Sequence, residues 1–91
     1  IIESWTFDGC KSLEIVNLPE DLIKIGDGAF RDCVSLERIN VYDECDYIAD
    51  NAFDGCDKLT ICGMKGSYAE QYAKKHNIPF EKLDTTIQSV N

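Results

Sequence analysis

The stretch IADNAFDGCDKL, residues 48–59, decides the fold because IGDGAFRDCVSL, residues 25–36, carries the same pattern 23 positions earlier. Phenylalanine, cysteine and leucine recur at this spacing in three columns, which are Phe7/Phe30/Phe53, Cys10/Cys33/Cys56 and Leu13/Leu36/Leu59. A fixed period between about 20 and 50 residues indicates stacked supersecondary units. The sequence therefore predicts a repeat protein of about two and a half copies.

Further columns extend the match beyond these residues. Isoleucine recurs in Ile2/Ile25/Ile48, and small residues recur in Thr6/Ala29/Ala52. Two further columns are apolar, namely Val16/Ile39/Cys62 and Leu18/Val41/Met64. Each copy also has a short turn of small polar residues, in Asp8-Gly9, Arg31-Asp32 and Asp54-Gly55, where the chain can reverse. A repeat this short cannot bury its own apolar side chains, so stacking must place each column in a core shared between neighbours. The predicted architecture is a solenoid.

Two strand patterns recur within the copies. Residues 36–41, LERINV, end in the alternation of apolar and polar residues that is typical of a short strand. Stacking places equivalent strands of neighbouring copies side by side, which predicts a ladder of parallel strands. Residues 22–25 and 45–48 predict a second, shorter strand before the turn that leads to the phenylalanine.

Residues 25–36 and 48–59 resemble BspA-type leucine-rich repeats, and the resemblance covers residues 2 to about 64. It implies an α/β repeat, a leucine-rich-repeat solenoid of about two and a half 23-residue repeats with short parallel strands. In that family the repeats typically belong to large bacterial or protist surface proteins, some of them adhesins. The first copy departs from the pattern, with Trp5 at the position of Gly28 and Asn51.

Residues 65–77, KGSYAEQYAKKHN, predict a single helix with its own start and stop signals. Ser67 and Glu70 form a capping-box pattern, two lysines suit the negative end of the helix dipole, and Asn77 suits the left-handed residue that ends a helix. One face carries small and aromatic side chains, namely Tyr68, Ala69, Tyr72 and Ala73. We expect this face to lie across the open end of the last repeat.

Residues 78–83, IPFEKL, predict one more strand at a sheet edge, because Pro79 cannot donate a ladder hydrogen bond. The pattern GSYAEQYAKK also resembles the segment that commonly closes BspA-type arrays. We therefore divide the chain into leucine-rich repeats at 1–64, a C-terminal helix and edge strand that close the solenoid at 65–83, and a flexible tail at 84–91.

The N-terminal side of the first repeat has no comparable closing element. Ile1 and Ile2 enter in mid-repeat without a polar-faced terminal unit. We expect the chain to be the C-terminal part of a longer array, and we expect self-association through this uncapped end.

The charge of the chain argues against several classes of partner. Nine basic and seventeen acidic residues leave a net charge of −8, which repels phosphate backbones and anionic membrane surfaces. No apolar run approaches the roughly 20 residues that span a bilayer. We expect neither nucleic-acid binding nor membrane insertion.

The five cysteines invite a disulfide or metal interpretation. The 23-residue register instead places all five at positions that are otherwise apolar or cysteine, with Cys62 in the column of Val16 and Ile39. We expect free thiols packed as small hydrophobic side chains. The closest pair, Cys56 and Cys62, is too widely spaced for the Cys-x(2–4)-Cys ligands of zinc, so no metal or cofactor is predicted.

One histidine and one acidic cluster are the remaining candidates for chemistry. His76 has no evident catalytic partner, and we expect it to complete the end of the helix or to contact solvent. Residues 43–46, DECD, together with Asp27 and Asp50, could hold calcium weakly or form a solvated turn. We favour the turn because the pattern Asp-x-Asp-x-Asp-Gly is missing. The sequence predicts no enzyme.

The candidate ligand-binding residues are the polar residues that alternate with core positions along the main strands: Glu14, Asn17, Glu37, Arg38, Asn40 and Thr60. Ile15 and Ile61 are assigned to the same exposed face, which solenoids use for binding.

Two functions remain open. The first is a non-catalytic protein-binding or adhesion module of a larger cell-surface or secreted bacterial protein, with a protein or cell-surface ligand as its partner. The family resemblance implies an extracellular or cell-surface location. The second is a purely structural segment that closes the solenoid, with recognition carried by upstream repeats.

Overall fold

A computed structural model describes residues 1–83, and the predicted flexible tail at 84–91 lies outside the described residues. Seven short elements, labelled in chain order, make up this part of the chain: β1 (Ile15–Asn17), β2 (Lys24–Ile25), β3 (Arg38–Asn40), β4 (Tyr47–Ile48), β5 (Thr60–Gly63), α1 (Tyr68–Lys75) and β6 (Phe80–Lys82). One parallel sheet has the order β1-β3-β5-β6, and a smaller parallel sheet pairs β2 with β4. This arrangement fits the predicted α/β repeat with short parallel strands.

The core between the two sheets is built from columns of like residues. The ring of Phe30 is fully buried and stacks between Phe7 and Phe53, with ring centroids 5.2 and 5.4 Å apart. The backbone N–H of Phe30 donates to the carbonyl of Ala52 at 2.8 Å, and Phe7 donates in the same way to Ala29 at 2.7 Å. Each copy therefore buries its phenylalanine against the next copy, as the repeat pattern predicts.

The cysteine column has a hydrogen-bonding role that adds to its packing. The thiol of Cys33 donates to the carbonyl of Phe7 at 3.1 Å, and the thiol of Cys56 donates to the carbonyl of Phe30 at 3.0 Å. Burial raises the pKa of Cys33, and it raises the pKa of Cys56 to about 11, so both remain neutral donors at neutral pH. All five cysteines are unbridged, as the sequence predicts.

The polar turn in each copy reverses the chain through one left-handed residue. Gly9, Asp32 and Gly55 occupy equivalent positions and have φ angles of 73°, 58° and 81°. A Cβ at Gly55 would collide with the carboxylate of Asp32, whereas a Cβ at Gly9 would meet nothing within 4 Å. The prediction of a recurring reversal is confirmed, and Asp32 accepts the conformation that glycine adopts most easily.

Trp5 in the first copy also has a left-handed φ, of 64°, as Gly28 has at the equivalent position of the second copy. Its ring lies so close to Gly28 that a Cβ there would overlap the indole, and Gly28 itself has a φ of 57°. The guanidinium of Arg31 lies 5.8 Å from the centre of the same ring. Tryptophan thus covers the space above the glycine of the next copy.

The structure corrects the repeat register in the last copy. The leucine column keeps the 23-residue spacing, but Ile39 pairs with Ile61, and Asn40 pairs with Cys62. One residue is therefore missing between Leu59 and β5. Ile61, which we assigned to the exposed face, is fully buried in the core.

The same shift moves two further residues out of their predicted columns. The apolar column of Leu18 and Val41 continues in Gly63, because Val41 donates its N–H to the carbonyl of Cys62 at 2.8 Å, one step along the ladder. Met64 was predicted for this column and instead lies half-buried beside Tyr42 at the surface. The column of Val16 and Ile39 continues in Ile61, and Cys62 points to the opposite face of the sheet.

The start of α1 follows the predicted signals with one change. The side chain of Ser67 caps the helix by accepting from the N–H of Glu70 at 3.3 Å. The carboxylate of Glu70 accepts from the N–H of Gly66 at 2.6 Å, one residue before the position that a full capping box uses. This bond is the main reason that the pKa of Glu70 lies below its usual value, and Lys74 contributes. Asn77 has the expected left-handed φ of 57°.

The predicted face of α1 packs against the last repeat. Ala69, Tyr72 and Ala73 are buried, and the ring of Tyr72 meets Phe53 edge-on at 6.1 Å. The hydroxyl of Tyr72 donates to the carbonyl of Ala49 at 2.8 Å, and burial raises its pKa. The aromatic column therefore continues into the helix with a polar contact at its end.

Candidate binding surface on the outer sheet face

The face of the larger sheet that points away from the core is called here the outer sheet face. Its first row consists of Ile15, Arg38 and Thr60, which are paired side by side on β1, β3 and β5. Its second row is one step further along the strands and contains Asn17, Asn40, Cys62 and Glu81. The structure thus brings four of the six candidate residues, Asn17, Arg38, Asn40 and Thr60, together on one surface.

The other two candidates, Glu14 and Glu37, lie just before the strands and are exposed. Their backbone carbonyls belong to the ladder: Glu14 accepts from the N–H of Glu37 at 2.8 Å, and Glu37 accepts from the N–H of Thr60 at 2.9 Å. The last copy has no counterpart of Glu37, because the missing residue lies at this point. The row of acidic residues therefore ends one copy early.

An ion pair crosses the outer sheet face. The Nη2 atom of Arg38 on β3 lies 2.8 Å from the Oε1 atom of Glu81 on β6, so the two side chains meet above β5. The hydrogen bond to Glu81 raises the pKa of Arg38. Both side chains remain partly exposed, at 44% and 59%. Sequence reasoning missed Glu81, although the predicted edge strand at residues 78–83 contained it.

Cys62 lies on the outer sheet face and not in the core column to which we assigned it. It has no solvent exposure even though the neighbouring Thr60 is half-buried. Burial raises the pKa of its thiol, while the positive charge of Arg38 acts in the opposite direction. The ion pair between Arg38 and Glu81 lies over β5, the strand that contains Cys62.

A ladder of polar side chains continues toward the first copy. The side-chain amide of Asn40 donates to the Oδ1 atom of Asn17 at 3.3 Å, and the hydroxyl of Tyr42 donates to the same atom at 3.1 Å. The Oδ1 atom of Asn40 is buried and has no hydrogen-bond partner among residues 1–83. This part of the surface is held in place by contacts between its own residues.

A cleft of about 470 Å³ opens beside the first row of the outer sheet face. Its lining residues are Ile15, Glu37, Arg38, Lys58 and Thr60. Lys58 was not among the predicted site residues, because it precedes Leu59 in a turn and not on a strand. The side chain of Ile15 is 65% exposed, which is high for a large apolar residue on a strand.

A second cleft, of about 300 Å³, lies between α1 and the turn of the last copy. It contains three aspartates, Asp50, Asp54 and Asp57, together with His76. The Nε2 atom of His76 lies 3.2 Å from the Oδ1 atom of Asp50 without forming a hydrogen bond, and the imidazole stacks on Tyr72 at 4.2 Å. His76 is also the C-cap residue of α1, in line with the predicted place at the end of the helix.

The acidic turn that raised the calcium alternative borders a third, shallow depression. That depression is lined by Glu20, Tyr42, Asp43, Glu44 and Met64. In the part of the chain that the structure describes, no group of three or more histidine, cysteine, aspartate or glutamate side chains is placed to hold a metal ion. The calcium alternative therefore has no structural support within these residues. A separate finding concerns membranes: α1, with eight residues, is not long enough to cross one.

Parallel strands at a fixed period, an aromatic column and an exposed sheet face together define a leucine-rich-repeat protein. Comparison with family models gives a match over residues 1–89 to the family described as BspA type leucine rich repeat region (6 copies). The chain therefore belongs to the BspA-type leucine-rich-repeat family, as its sequence predicts. No curated protein and no solved structure matches the chain. Repeats of this family are typically surface protein-binding modules, and the fold is generally a non-enzymatic interaction fold.

Proposed function

We propose that the chain is a non-catalytic protein-binding or adhesion module of a larger cell-surface or secreted bacterial protein, and that it binds through the outer sheet face. The observation that carries the proposal is the exposure of apolar, cationic and amide side chains side by side on a hydrogen-bonded ladder of strands. A rigid scaffold that presents mixed chemistry lowers the cost of ordering a binding surface. The partner is a protein or a cell-surface ligand.

The six candidate residues divide into two parts under this proposal. Glu37, Arg38 and Thr60 line the cleft on the outer sheet face, and the exposed Glu14 directly precedes Ile15, a further lining residue. Asn17 and Asn40 form the amide ladder beside it. Contacts to a partner at the cleft combine charge with apolar area, whereas the amides add hydrogen bonds of defined direction.

Purely structural closure of the solenoid is the second candidate function. The contacts of α1 favour it, because Tyr72 reaches the carbonyl of Ala49 and Tyr68 accepts from the N–H of Ile48 at 3.2 Å. In this case residues 65–83 cover the apolar end of the last copy, and recognition takes place in upstream repeats.

Self-association through the first copy is a further part of the proposal. Phe7 and Leu13 are only half-buried, whereas Phe30 and Leu36 at the equivalent positions of the second copy have no exposure. Light scattering over a range of concentrations tests this. A constant mass of 10.3 kDa at every concentration would contradict it.

Alanine substitution separates the two main functions. In the protein that carries this chain, Arg38→Ala and Asn40→Ala should each weaken binding to host-matrix or cell-surface material if the outer sheet face is the binding site. Arg31→Ala is the matched control, because Arg31 is equally exposed but pairs with Asp8 at the turn, at 3.0 Å. Binding that is unchanged by all three substitutions favours the structural role.

A further inference from the structure

We infer that the cleft on the outer sheet face binds a peptide segment of a partner protein that combines a carboxylate with an aliphatic side chain. Arg38 would bind the carboxylate and Ile15 would contact the aliphatic group. This inference rests on the proposed function and names the chemistry of the partner.

The arrangement of the cleft brings these two chemistries next to each other. Ile15 and Arg38 are direct partners in the parallel ladder between β1 and β3. The Arg38 side chain extends away from Ile15, toward Glu81 on β6, and so leaves the isoleucine 65% exposed. An extended peptide lying across the strands can therefore place one side chain on the isoleucine and another on the guanidinium.

The guanidinium of Arg38 has capacity for a second acceptor. Arginine carries five N–H donors in a planar fork that matches the two oxygens of a carboxylate. Within residues 1–83, the structure gives the guanidinium one hydrogen-bond partner, the carboxylate of Glu81. The Arg38 side chain is 44% exposed, which leaves its remaining donors accessible to a second acceptor.

Glu81 also shows which chemistry Arg38 accepts. It is a carboxylate that approaches from a different strand, in the way that a partner's side chain would. A second carboxylate on this guanidinium lies close to Glu81 and is repelled by its negative charge. Removing the charge of Glu81 should then strengthen binding, which a purely structural ion pair would not do.

The charges around the cleft support an anionic group at this position. Lys58 adds a second positive charge to the lining, and Glu37 is the one lining residue with a negative charge. The lining carries two cations against one anion, and Glu81, the anion beside it, is paired with Arg38; this is a local exception in a chain whose net charge is −8. An acidic peptide is repelled by most of the molecule and is attracted here, and such contacts weaken with salt.

The test uses the 91-residue chain and a fluorescein-labelled hexapeptide of alternating glutamate and leucine, followed by fluorescence anisotropy. A second hexapeptide has glutamine in place of glutamate. Arg38→Gln should weaken binding of the glutamate peptide by about 1.5- to fivefold, the range expected for an exposed ion pair. Glu81→Gln should strengthen it by a similar factor. The glutamine peptide should bind more weakly than the glutamate peptide to the parent chain.

Two control variants separate local contacts from net charge. Arg31→Gln removes an arginine that pairs with Asp8 at the turn, and Glu44→Gln removes an acid that lies in the third depression. Both should bind the glutamate peptide as the parent does. Circular dichroism checks that each variant is folded.

The inference is overturned if Arg38→Gln binds as tightly as the parent chain, if Glu81→Gln does not bind more tightly, or if the glutamate peptide does not bind at all. The broader proposal can survive such a result. If Arg38→Ala and Asn40→Ala still reduce binding to cell-surface material, the outer sheet face is the binding site and only the chemistry assigned to the partner is wrong.

Discussion

Replacement of Gly63 by alanine measures how closely α1 and β6 approach the last repeat. Gly63 has no left-handed φ, so alanine fits its backbone conformation. A Cβ at this position would lie 3.0 Å from the carbonyl oxygen of Val41, 3.3 Å from the Cβ of Ala69 and 3.3 Å from the ring of Phe80. The new methyl group would therefore touch the residue that follows β3, the helix and the edge strand at once.

Two opposing effects decide the sign of the change in stability. Glycine inside a strand costs roughly 0.5–1 kcal/mol relative to alanine, so alanine in free space would stabilise the chain by this amount. Overfilling a packed site costs about 1–3 kcal/mol, and the backbone carbonyl of Val41 at 3.0 Å cannot rotate away as a side chain could. We expect a net loss of about 0.5–2 kcal/mol in the free energy of unfolding.

Urea denaturation followed by circular dichroism measures this difference directly. A double-mutant cycle with Ala69→Gly removes one of the three contacts, so Gly63→Ala should cost less in that background. If Gly63→Ala raises the midpoint of unfolding, or if the two substitutions are strictly additive, then α1 does not pack against β5 as closely as the structure shows.

Three further predictions test the column, the turn and the helix start. Phe30→Ala should lower the free energy of unfolding by about 3–5 kcal/mol and Phe7→Ala by roughly half as much. Of these two rings, Phe30 stacks on a neighbour on both sides and Phe7 on one side. Equal losses in urea denaturation would contradict this. Gly9→Ala should lower the free energy of unfolding by about 1 kcal/mol through its left-handed φ alone. Gly55→Ala should lower it further in the same assay, because its Cβ would also meet Asp32. A larger loss for Gly9→Ala would be evidence against the contact with Asp32. The folded-state pKa of Glu70 is lowered, so its contribution to stability is present above the ordinary pKa of 4.5 and is lost as the pH falls through the folded-state pKa. Glu70→Gln should therefore flatten the pH dependence of the free energy of unfolding in this acidic range. An unchanged pH profile would refute the prediction.

The repeat architecture could be predicted because its columns are chemically distinct. Phenylalanine at one position and cysteine three residues later occur in all three copies, so only one alignment satisfies both. The turn between them needs a left-handed residue, and glycine or aspartate supplies it at Gly9, Asp32 and Gly55. The helix could be predicted for a similar reason, since its start and end carry residues with specific backbone roles.

The register of the last strand could not be predicted from these columns. In the segment LTICGM, both Ile61 and Cys62 are apolar, and either can occupy the inward position of a strand. A constant period of 23 favours Cys62, whereas pairing in the sheet selects Ile61. Gly63 gives no hydrophobic signal because it has no side chain. The space that a side chain would need is taken by Ala69 of α1 and Phe80 of β6.

The candidate residues of the outer sheet face were placed correctly wherever alternation along a strand was sufficient. Arg38, Asn40 and Thr60 lie on this face in the structure. The partner of Arg38 was out of reach, because Glu81 is 43 residues away and meets it only if β6 adds to β5 in parallel at one register. Hydrophobic patterning contains no information about that register.

The shortened last copy connects the two proposed roles of the chain. With one residue removed, Gly63 falls where α1 and Phe80 need space, and Cys62 turns to the outer sheet face. The edge strand β6 can then pair with β5, and this pairing places Glu81 where its side chain reaches Arg38 across β5. The proposed closure of the last repeat and the charge of the proposed binding cleft therefore depend on the same strand. A substitution that detaches β6 should expose Cys62 and release Arg38 from Glu81 together. Binding at the cleft and closure of the last repeat should therefore change together.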